Sequence, residues 1–225
     1  MNTTTLWMNQ LSWVDYQRRI RTGHPPVLLP VGALEQHGPH LPLGTDALLA
    51  GAVAADAATL IGQVRDAVRE FARHGVDKLV IVNGHYENQW FLIEGIDLGL
   101  RDAKAADPAC ALQVMRLEYW DFMTPETLGH VFPEGFPGFA LEHAAVLETS
   151  MMLHHHPSLV RMDLLPDDGP ADFPPYDMYP SRTDWVPPSG VLSSAKGSDA
   201  TKGKLLADEV ARRMAEAITT GFTRP

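Results

Sequence analysis

The chain has a single cysteine, Cys110, among its 225 residues. One thiol cannot form a disulfide within the chain, so we expect a reducing compartment such as the cytoplasm. No apolar stretch approaches the roughly 18 residues that a membrane-spanning helix needs. The N-terminal segment has no basic stretch followed by an apolar one, so we expect no signal peptide.

Basic residues are also scarce, because 18 Lys and Arg stand against 28 Asp and Glu, for a formal net charge of −10. No basic run offsets this charge, so we expect neither a nucleic acid nor an anionic membrane surface as a partner. The hydrophobic content of 45% is typical of a globular protein. At this length we expect one domain over residues 1–225.

Apolar stretches at residues 27–32, 78–83 and 110–120 predict three β-strands. Periodic segments between and after them predict helices at 12–22, 46–61, 64–75, 87–106, 140–156 and 201–222. Strands that alternate with helices indicate an α/β fold with a mainly parallel sheet.

One part of this pattern departs from a regular α/β winding. The helices predicted at 46–61 and 64–75 follow each other directly, with Gly62 as the end of the first. A regular winding would place a strand between them, and residues 62–63 are too few to supply one.

Histidine and carboxylate side chains follow two of the predicted strands. Glu35 and His37 come after the first strand, His85 and Glu87 after the second, and Asp46 lies at the start of a predicted helix. Ligands collect beyond the carboxyl ends of parallel strands, and residues two apart in an extended segment point to the same side. Five such groups exceed the needs of one tetrahedral zinc and suit two divalent ions. Mixed imidazole and carboxylate ligation fits zinc or manganese equally.

Several polar residues also have a plainer structural interpretation. Asp46, or Thr45 before it, could cap the helix that begins there. The run from His154 to His156 lies at the C-terminus of a predicted helix, where imidazolium groups suit the helix dipole. We interpret His40 as a structural or solvated residue.

The segments around these residues resemble the creatininase family of metal-dependent amidohydrolases. The similarity begins with EQHGPHLPLGTD and NGHYEN and extends over nearly the whole chain. Further matching segments are EFARHGVDKLVIV, EGIDLGLRD, EYWDF, PEGFPGF, EHAAVLETS, FPPYD and LSSAK. Within the family, the resemblance is closest to the members that hydrolyse creatinine.

The resemblance implies a three-layer α/β/α sandwich with two divalent metal ions per chain, Zn²⁺ and/or Mn²⁺. Glu35, Asp46 and His85 would hold one ion, and His37, Asp46 and Glu87 the other, with Asp46 as the bridge. The implied assembly is a homohexamer built as a trimer of dimers.

The resemblance also implies a reaction, the reversible hydrolysis of the cyclic amide of creatinine to creatine by water that two metal ions activate. His143 would transfer the proton, with Glu87 and Glu142 as further catalytic residues. The implied substrate-binding residues are Tyr86, Trp120, Phe139 and Glu148. The chemistry agrees with these residue types, because metal-bound water reaches a pKa of about 7 and histidine titrates near neutrality.

Two departures from the family pattern bear on activity. The family carries a tryptophan where this chain has Phe139, which concerns specificity more than hydrolysis. Compared with the family pattern, a segment of about 35 residues is absent between Gly62 and Gln63. The family places a strand and a Gly-rich loop there. Loss of the strand would leave backbone groups of the neighbouring strands unpaired. All five predicted ligands remain, so we expect metal binding with weakened or lost turnover.

Two alternatives stay open. A related amide or formamide hydrolase, or a peptidase of the same family, would use the same metal centre on another substrate. A catalytically impaired metal-binding scaffold would keep the ions without turnover.

Overall fold

A computed structural model of the chain describes residues 7–8, 11–33, 35–46, 57–180 and 182–223. Within this part of the chain, three strands form one parallel sheet in the order β1, β2, β3, namely Val27–Val31, Lys78–Asn83 and Gln113–Glu118. The helices are α1 Trp13–Gly23, α2 Ala57–Arg73, α3 Asn88–Ala106, α4 Pro125–Val131, α5 Val146–His155 and α6 Ala200–Gly221. The predicted α/β fold with a parallel sheet is therefore confirmed. None of these helices is long and apolar enough to cross a membrane.

The three strands end level with one another, which places the functional loops at a single edge. Val31 at the end of β1 pairs with Asn83 of β2, and Asn83 pairs with Glu118 at the end of β3. The segments that follow these residues therefore leave the sheet side by side, as the sequence predicts for the metal ligands.

Three of the predicted helices agree with α1, α3 and α6 to within two residues. Two of them begin with a side-chain cap, because Ser12 and Asp199 each accept a hydrogen bond from the backbone N–H three residues further on. Two apolar cores support the fold, one between the sheet and the helices α2 and α3, the other among α4, α5, α6 and the segment after β3.

The predicted helix end at Gly62 is wrong, since α2 runs without interruption from Ala57 to Arg73. The predicted helix at 46–61 otherwise lies largely outside the described residues. Leu60, Val64 and Val68 are all buried, so one apolar face continues at helical spacing past the glycine. A glycine within a helix costs about 1 kcal/mol relative to alanine, which this buried face outweighs.

Two glycines of α3 allow it to lie unusually close to α2. A methyl group at Gly95 would lie 2.7 Å from the Cβ atom of Val64, and one at Gly99 would lie 2.7 Å from the Cβ atom of Val68. These glycines weaken the helix prediction for α3, yet in the fold they permit close helix packing.

The contrast between the glycines of α2 and α3 yields a stability prediction. Gly62→Ala should raise the free energy of unfolding by about 0.5–1 kcal/mol, because among the described residues no atom beyond the neighbouring helix backbone lies within 4 Å of the added methyl group. Gly95→Ala makes the same chemical change at a crowded position and should lower it by about 1–3 kcal/mol. Chemical denaturation measures both variants. A destabilising Gly62→Ala would contradict the continuous helix.

The predicted helix at 140–156 also begins later than expected, because α5 is preceded by a 3₁₀ turn and an irregular turn. Glu142 accepts a hydrogen bond from the backbone N–H of Leu147 at 2.9 Å, and Glu148 accepts one from Ala144 at 2.7 Å. These carboxylates bind N–H groups at the start of the helix, a role that Ser or Asp caps usually fill. The result is a tight turn beside the sheet edge.

Candidate metal centre and active site

A cavity of 540 Å³ lies at the edge where the strands end. All the predicted site residues except His37 line it. They are Glu35, Asp46, His85, Tyr86, Glu87, Trp120, Phe139, Glu142, His143 and Glu148. The structure thus brings together side chains from distant parts of the sequence.

The turn after β2 is held by Asn83, which is fully buried. Its side-chain amide donates a hydrogen bond to the carbonyl of His85 at 2.8 Å and accepts one from the N–H of His85 at 3.1 Å. The same side chain therefore holds both the N–H and the carbonyl of His85. Sequence analysis did not single out this residue, although an Asn before a Gly at a strand end is a turn signal.

His85 lies at the centre of one group of possible ligands. Its Nδ1 atom is 2.7 Å from Oδ2 of Asp46 and 3.0 Å from Oε1 of Glu35. Its Nε2 atom faces the other way, 3.1 Å from Oε2 of Glu87. The ligand atoms of Glu35, Asp46 and His85 lie within 4.8 Å of one another, which is the predicted set for the first metal ion.

His37 is fully buried on the other side of Asp46. Its Nε2 atom is 2.8 Å from Oδ1 of Asp46 and 3.6 Å from Oε2 of Glu148. Its Nδ1 atom is 3.4 Å from the backbone carbonyl of Glu35, a contact that orients the ring with Nε2 towards the carboxylates. Asp46 thus has one oxygen towards each imidazole, which suits a bridging carboxylate.

The group around His37 differs from the predicted set for the second metal ion. Among the described residues, Glu148 joins His37 and Asp46 within 4.8 Å, and Glu87 does not. The side chain of Glu87 is 64% exposed, and its Oε2 atom lies 3.1 Å from Nε2 of His85, the nitrogen that faces away from Asp46. Glu148, expected as a substrate-binding residue, therefore lies closer to His37 than the predicted ligand does.

The donor set fits a divalent cation. Oε1 of Glu35, Nε2 of His37 and Oδ2 of Asp46 are buried and close to other polar atoms, yet none of them forms a well-directed hydrogen bond within the described part of the chain. Leaving such atoms unpaired costs about 1–3 kcal/mol each, whereas a cation would satisfy their lone pairs. The mixed imidazole and carboxylate chemistry suits zinc or manganese.

Without metal, the carboxylates hold protons on both imidazoles. Burial alone lowers the pKa of His37, but the charge and close contact of the Asp46 and Glu148 carboxylates outweigh it and raise the pKa to about 11. Burial is likewise outweighed at His85, where Asp46 and Glu35 raise the pKa to about 10. Burial raises the pKa of Asp46, but the two imidazoles lower it overall to about 2.

These pKa values predict that metal binding competes with protons well above neutral pH. Both imidazole pKa values lie above the ordinary 6.5, so each ring is protonated at pH 7 and must lose a proton to ligate. Apparent metal affinity should rise from pH 6 to 8 by up to about tenfold per pH unit for each displaced proton. Isothermal titration calorimetry in buffers of different ionisation enthalpy counts those protons. An affinity that levels off above pH 6.5 would show unperturbed histidines.

His143 lies beside this centre with one ring nitrogen fixed. Its Nε2 atom is 2.8 Å from the carbonyl of Gln36, so that N–H donates a hydrogen bond. The other ring nitrogen, Nδ1, lies 3.8 Å from Oε1 of Glu35. The ring is 4.3 Å from the ring of His37, centroid to centroid. His143 therefore directs Nδ1 towards the ligand cluster.

Glu142 is a buried carboxyl group that also lines the cavity. One oxygen accepts the hydrogen bond from Leu147, and the other has no hydrogen-bond partner among the described residues. Burial raises its pKa to about 8, so the group is mostly protonated at neutral pH. It can then donate a hydrogen bond into the cavity.

Aromatic rings form another wall of the cavity. The rings of Tyr86 and Trp120 are 6.0 Å apart with 35° between their planes. Trp120 is anchored in the core, and Tyr86 is 49% exposed at the mouth. Phe139 lines the same wall, and Phe173 and Asp177 contribute from the segment between α5 and α6.

Comparison with known proteins places the chain among relatives of similar length. The family model described as Creatininase, creatinine amidohydrolase, matches residues 9–62 and 51–218. A creatinine amidohydrolase from Pseudomonas putida is 38% identical over 255 residues, which covers 97% of this chain and 98% of the relative. A mycofactocin precursor peptide peptidase from Mycolicibacterium smegmatis is 51% identical over 49 residues, 22% of this chain and 20% of the relative.

Solved structures show the same similarity. A creatininase described as the Mn form has a TM-score of 0.90 and 38% identity, with 96% of this chain and 98% of that chain covered. A Glu-to-Gln mutant creatininase of Zn–Zn type has a TM-score of 0.90 and 37% identity at the same coverage. The same type of mutant complexed with creatine has a TM-score of 0.88, again at 37% identity and that coverage.

The comparisons also bear on the predicted internal deletion. The alignment with the Pseudomonas relative is longer than this chain's 225 residues, so the relative contains positions with no counterpart here. The family model matches in two pieces that overlap at residues 51–62, next to the predicted gap. With its model matched over most of the sequence and its fold shared at high TM-score, the chain belongs to the creatininase family.

Proposed function

We propose that this chain is a metal-dependent amidohydrolase that reversibly hydrolyses the cyclic amide of creatinine to creatine. The observation that supports this most is the position of Asp46 between His37 and His85, with Glu35 beside them at the cavity. The full-length relative is named for this activity, and one structural neighbour is complexed with creatine.

The proposed metal ligands are Glu35, His37, Asp46, His85 and Glu87, and they would hold two Zn²⁺ and/or Mn²⁺ ions. Solved relatives are described in Mn and Zn–Zn forms, which favours these metals. Such ions, when bound, lower the pKa of water and polarise a substrate carbonyl. Glu148 is positioned as an alternative to Glu87 on the His37 side.

His143 is the proposed proton-transfer residue. The hydrogen bond from Nε2 to Gln36 leaves Nδ1 to accept a proton and to return it to the ring nitrogen that leaves. General acid–base catalysis of this kind contributes about 10²–10⁴-fold to a rate. Glu87, at the exposed edge of the centre, is the proposed second catalytic carboxylate.

The other cavity residues would bind the substrate ring. Tyr86, Trp120 and Phe139 offer flat surfaces for a small planar molecule, worth about 0.5–1.5 kcal/mol per ring beyond burial. The protonated Glu142 would donate a hydrogen bond to it, and its proposed contribution to catalysis acts through that contact. Glu148 completes the polar wall.

The charge of the cavity favours creatinine over an anionic substrate. Its described lining contains Glu142, Glu148 and Asp177 in addition to the proposed ligands, and no lysine or arginine. A substrate with an amidine group can donate hydrogen bonds to Glu148 and Asp177, whereas their carboxylates would repel a substrate that carries a net negative charge.

The proposal is tested by an assay on protein reconstituted with Mn²⁺ or Zn²⁺. We expect creatine from creatinine, creatinine from creatine, and a slower rate than the Pseudomonas relative, because the absent segment removes part of the cavity wall. A panel of formamides and small peptides serves as the comparison. Hydrolysis of those amides without creatine formation would favour a related hydrolase, and two bound metals without any amidase activity would favour a scaffold.

A peptidase is the second candidate function. The match to the mycofactocin precursor peptide peptidase is 51% identical, although it covers only 22% of this chain. Release of an amino acid from short peptides, with no turnover of creatinine, would support this candidate.

Phe139→Trp tests how the cavity sets substrate preference. The larger indole adds contact area and an N–H donor, so KM for creatinine should fall about threefold to tenfold, in line with the value of one aromatic contact. Steady-state kinetics measures it, with Phe222→Trp, at the end of α6 and outside the cavity lining, as the control. An unchanged KM would show that the ring at 139 does not contact the substrate.

We also propose a cytoplasmic homohexamer, a trimer of dimers, of single-domain subunits. The similarity to creatininases over nearly the full length supports this assembly. Light scattering coupled to size exclusion measures the mass, and a monomeric species would contradict it.

A further inference from the structure

His143 lies on a turn with an unusual backbone conformation. The next residue, Ala144, is fully buried and has a φ angle of +56°. Left-handed backbone costs a residue with a side chain about 1–2 kcal/mol and persists only where neighbouring groups hold it.

Hydrogen bonds hold Ala144 from two directions. Its N–H donates to Oε2 of Glu148 at 2.7 Å. Its carbonyl accepts a hydrogen bond from the hydroxyl of Thr149 at 3.3 Å, and that hydroxyl is 2.9 Å from Nε2 of His40. Thr149 and His40 are 0% and 1% exposed, so water does not compete with these bonds.

The direction of these bonds follows from proton counting. A hydroxyl group has one hydrogen, and Thr149 gives it to the carbonyl of Ala144. His40 must therefore donate from Nε2, which leaves Nδ1 without a proton. The buried Nδ1 of His40 indeed has no hydrogen-bond partner among the described residues. The hydrogen bonds therefore run from His40 to Thr149 and from Thr149 to Ala144. His40 is itself held, because its backbone carbonyl accepts a hydrogen bond from the N–H of Arg161 at 2.8 Å.

The position of His143 depends on this turn. Its carbonyl accepts a hydrogen bond from the N–H of Leu192 at 3.1 Å, and its ring donates to Gln36 at 2.8 Å. If Ala144 relaxed to a negative φ angle, the peptide unit between His143 and Ala144 would rotate. Both contacts of His143 would then be lost.

We propose that His40 and Thr149 are positioning residues for His143, acting through a buried hydrogen-bonded chain that holds Ala144 in the left-handed conformation. The kinetic part of this inference rests on the proposed function, in which His143 transfers a proton. The structural part does not, since the turn exists whatever the substrate is.

The test compares Thr149→Val, which removes the hydroxyl at constant shape, with Thr149→Ser, which keeps it. We expect at least a tenfold lower kcat for the valine variant, little change in KM, and nearly full activity for the serine variant. Ala144→Gly should bypass the requirement, because glycine adopts a positive φ without cost. The double variant Thr149→Val with Ala144→Gly should therefore regain most of kcat.

Metal content and melting temperature are measured on every variant, and crystal structures of wild type and Thr149→Val supply a readout independent of activity. We expect the valine variant to show a changed φ angle at residue 144 and a longer distance from His143 Nε2 to the Gln36 carbonyl. An unchanged turn in Thr149→Val would overturn the proposal. If wild type is active, a double variant that does not regain kcat would also overturn it. If Thr149→Val does not fold, His40→Gln, which keeps a donor, is compared with His40→Leu, which does not, and equal turn geometry in both would overturn it.

If wild type does not hydrolyse creatinine, the proposed function is wrong. The crystal structures still test whether Thr149 holds the turn at Ala144.

Discussion

Replacing Asp46 by alanine is expected to remove metal from both positions and to reduce hydrolysis below detection. Asp46 directs one oxygen towards His37 and the other towards His85, so each proposed ion loses a ligand at once. Losing even an outer-shell contact typically costs a metal site about 10–100-fold in affinity, and a shared ligand should cost more. Inductively coupled plasma mass spectrometry gives metal per chain, and the creatine assay gives turnover.

The control for this variant is Asp177→Ala, which removes another carboxylate of the cavity wall that belongs to none of the groups of possible ligands formed by the described residues. It should keep two metals per chain. Stoichiometric metal in Asp46→Ala would show that the bridging assignment is wrong, and the loss of only one ion would show that Asp46 serves one position alone.

Replacing His143 by alanine should lower kcat by about 10²–10⁴-fold while metal content stays at the wild-type value. The physical reason is that Nδ1 carries the proton in the proposed reaction, whereas the ions are held by other side chains. The structure makes this a sharp test, because His143 also lies within ligating distance of Glu35 and His37.

His155→Ala, an exposed histidine at the end of α5, is the matched control and should keep both activity and metal. Loss of metal in His143→Ala would assign this histidine to the metal centre. Full activity would exclude it from proton transfer.

The position of the site could be predicted from sequence because it depends on sheet geometry. Parallel strands with aligned ends bring their following loops together, so the pairs Glu35 and His37 and His85 and Glu87 were expected to converge. The register of β1, β2 and β3 shows that alignment directly. Apolar stretches define such strands without information from distant residues.

The turn before α5 could not be predicted in the same way. Apolar residues recur at helical spacing through 140–156, and this pattern alone indicates one helix. The observed break depends on the carboxylates of Glu142 and Glu148, which fold back onto backbone N–H groups. Such contacts are made by buried carboxyl groups, and the spacing of apolar residues in the sequence does not show which carboxyl groups are buried. The same limitation applies to Glu148 near His37, since that proximity depends on how α5 packs.

The absent segment affects the two halves of the site differently. The proposed ligands follow β1 and β2, both of which are present and paired, so the proposed metal centre does not depend on the segment. The resemblance implies that the segment forms part of the substrate-cavity wall. This difference is the physical reason to expect metal binding with reduced turnover.

The most direct test of the central claim is anomalous diffraction from crystals grown with Mn²⁺ or Zn²⁺. The account predicts two peaks, one on each side of Asp46, each about 2.0–2.2 Å from one of its oxygens. The first peak should lie beside Glu35 and His85 and the second beside His37. A single peak, or peaks away from Asp46, would contradict the two-metal centre.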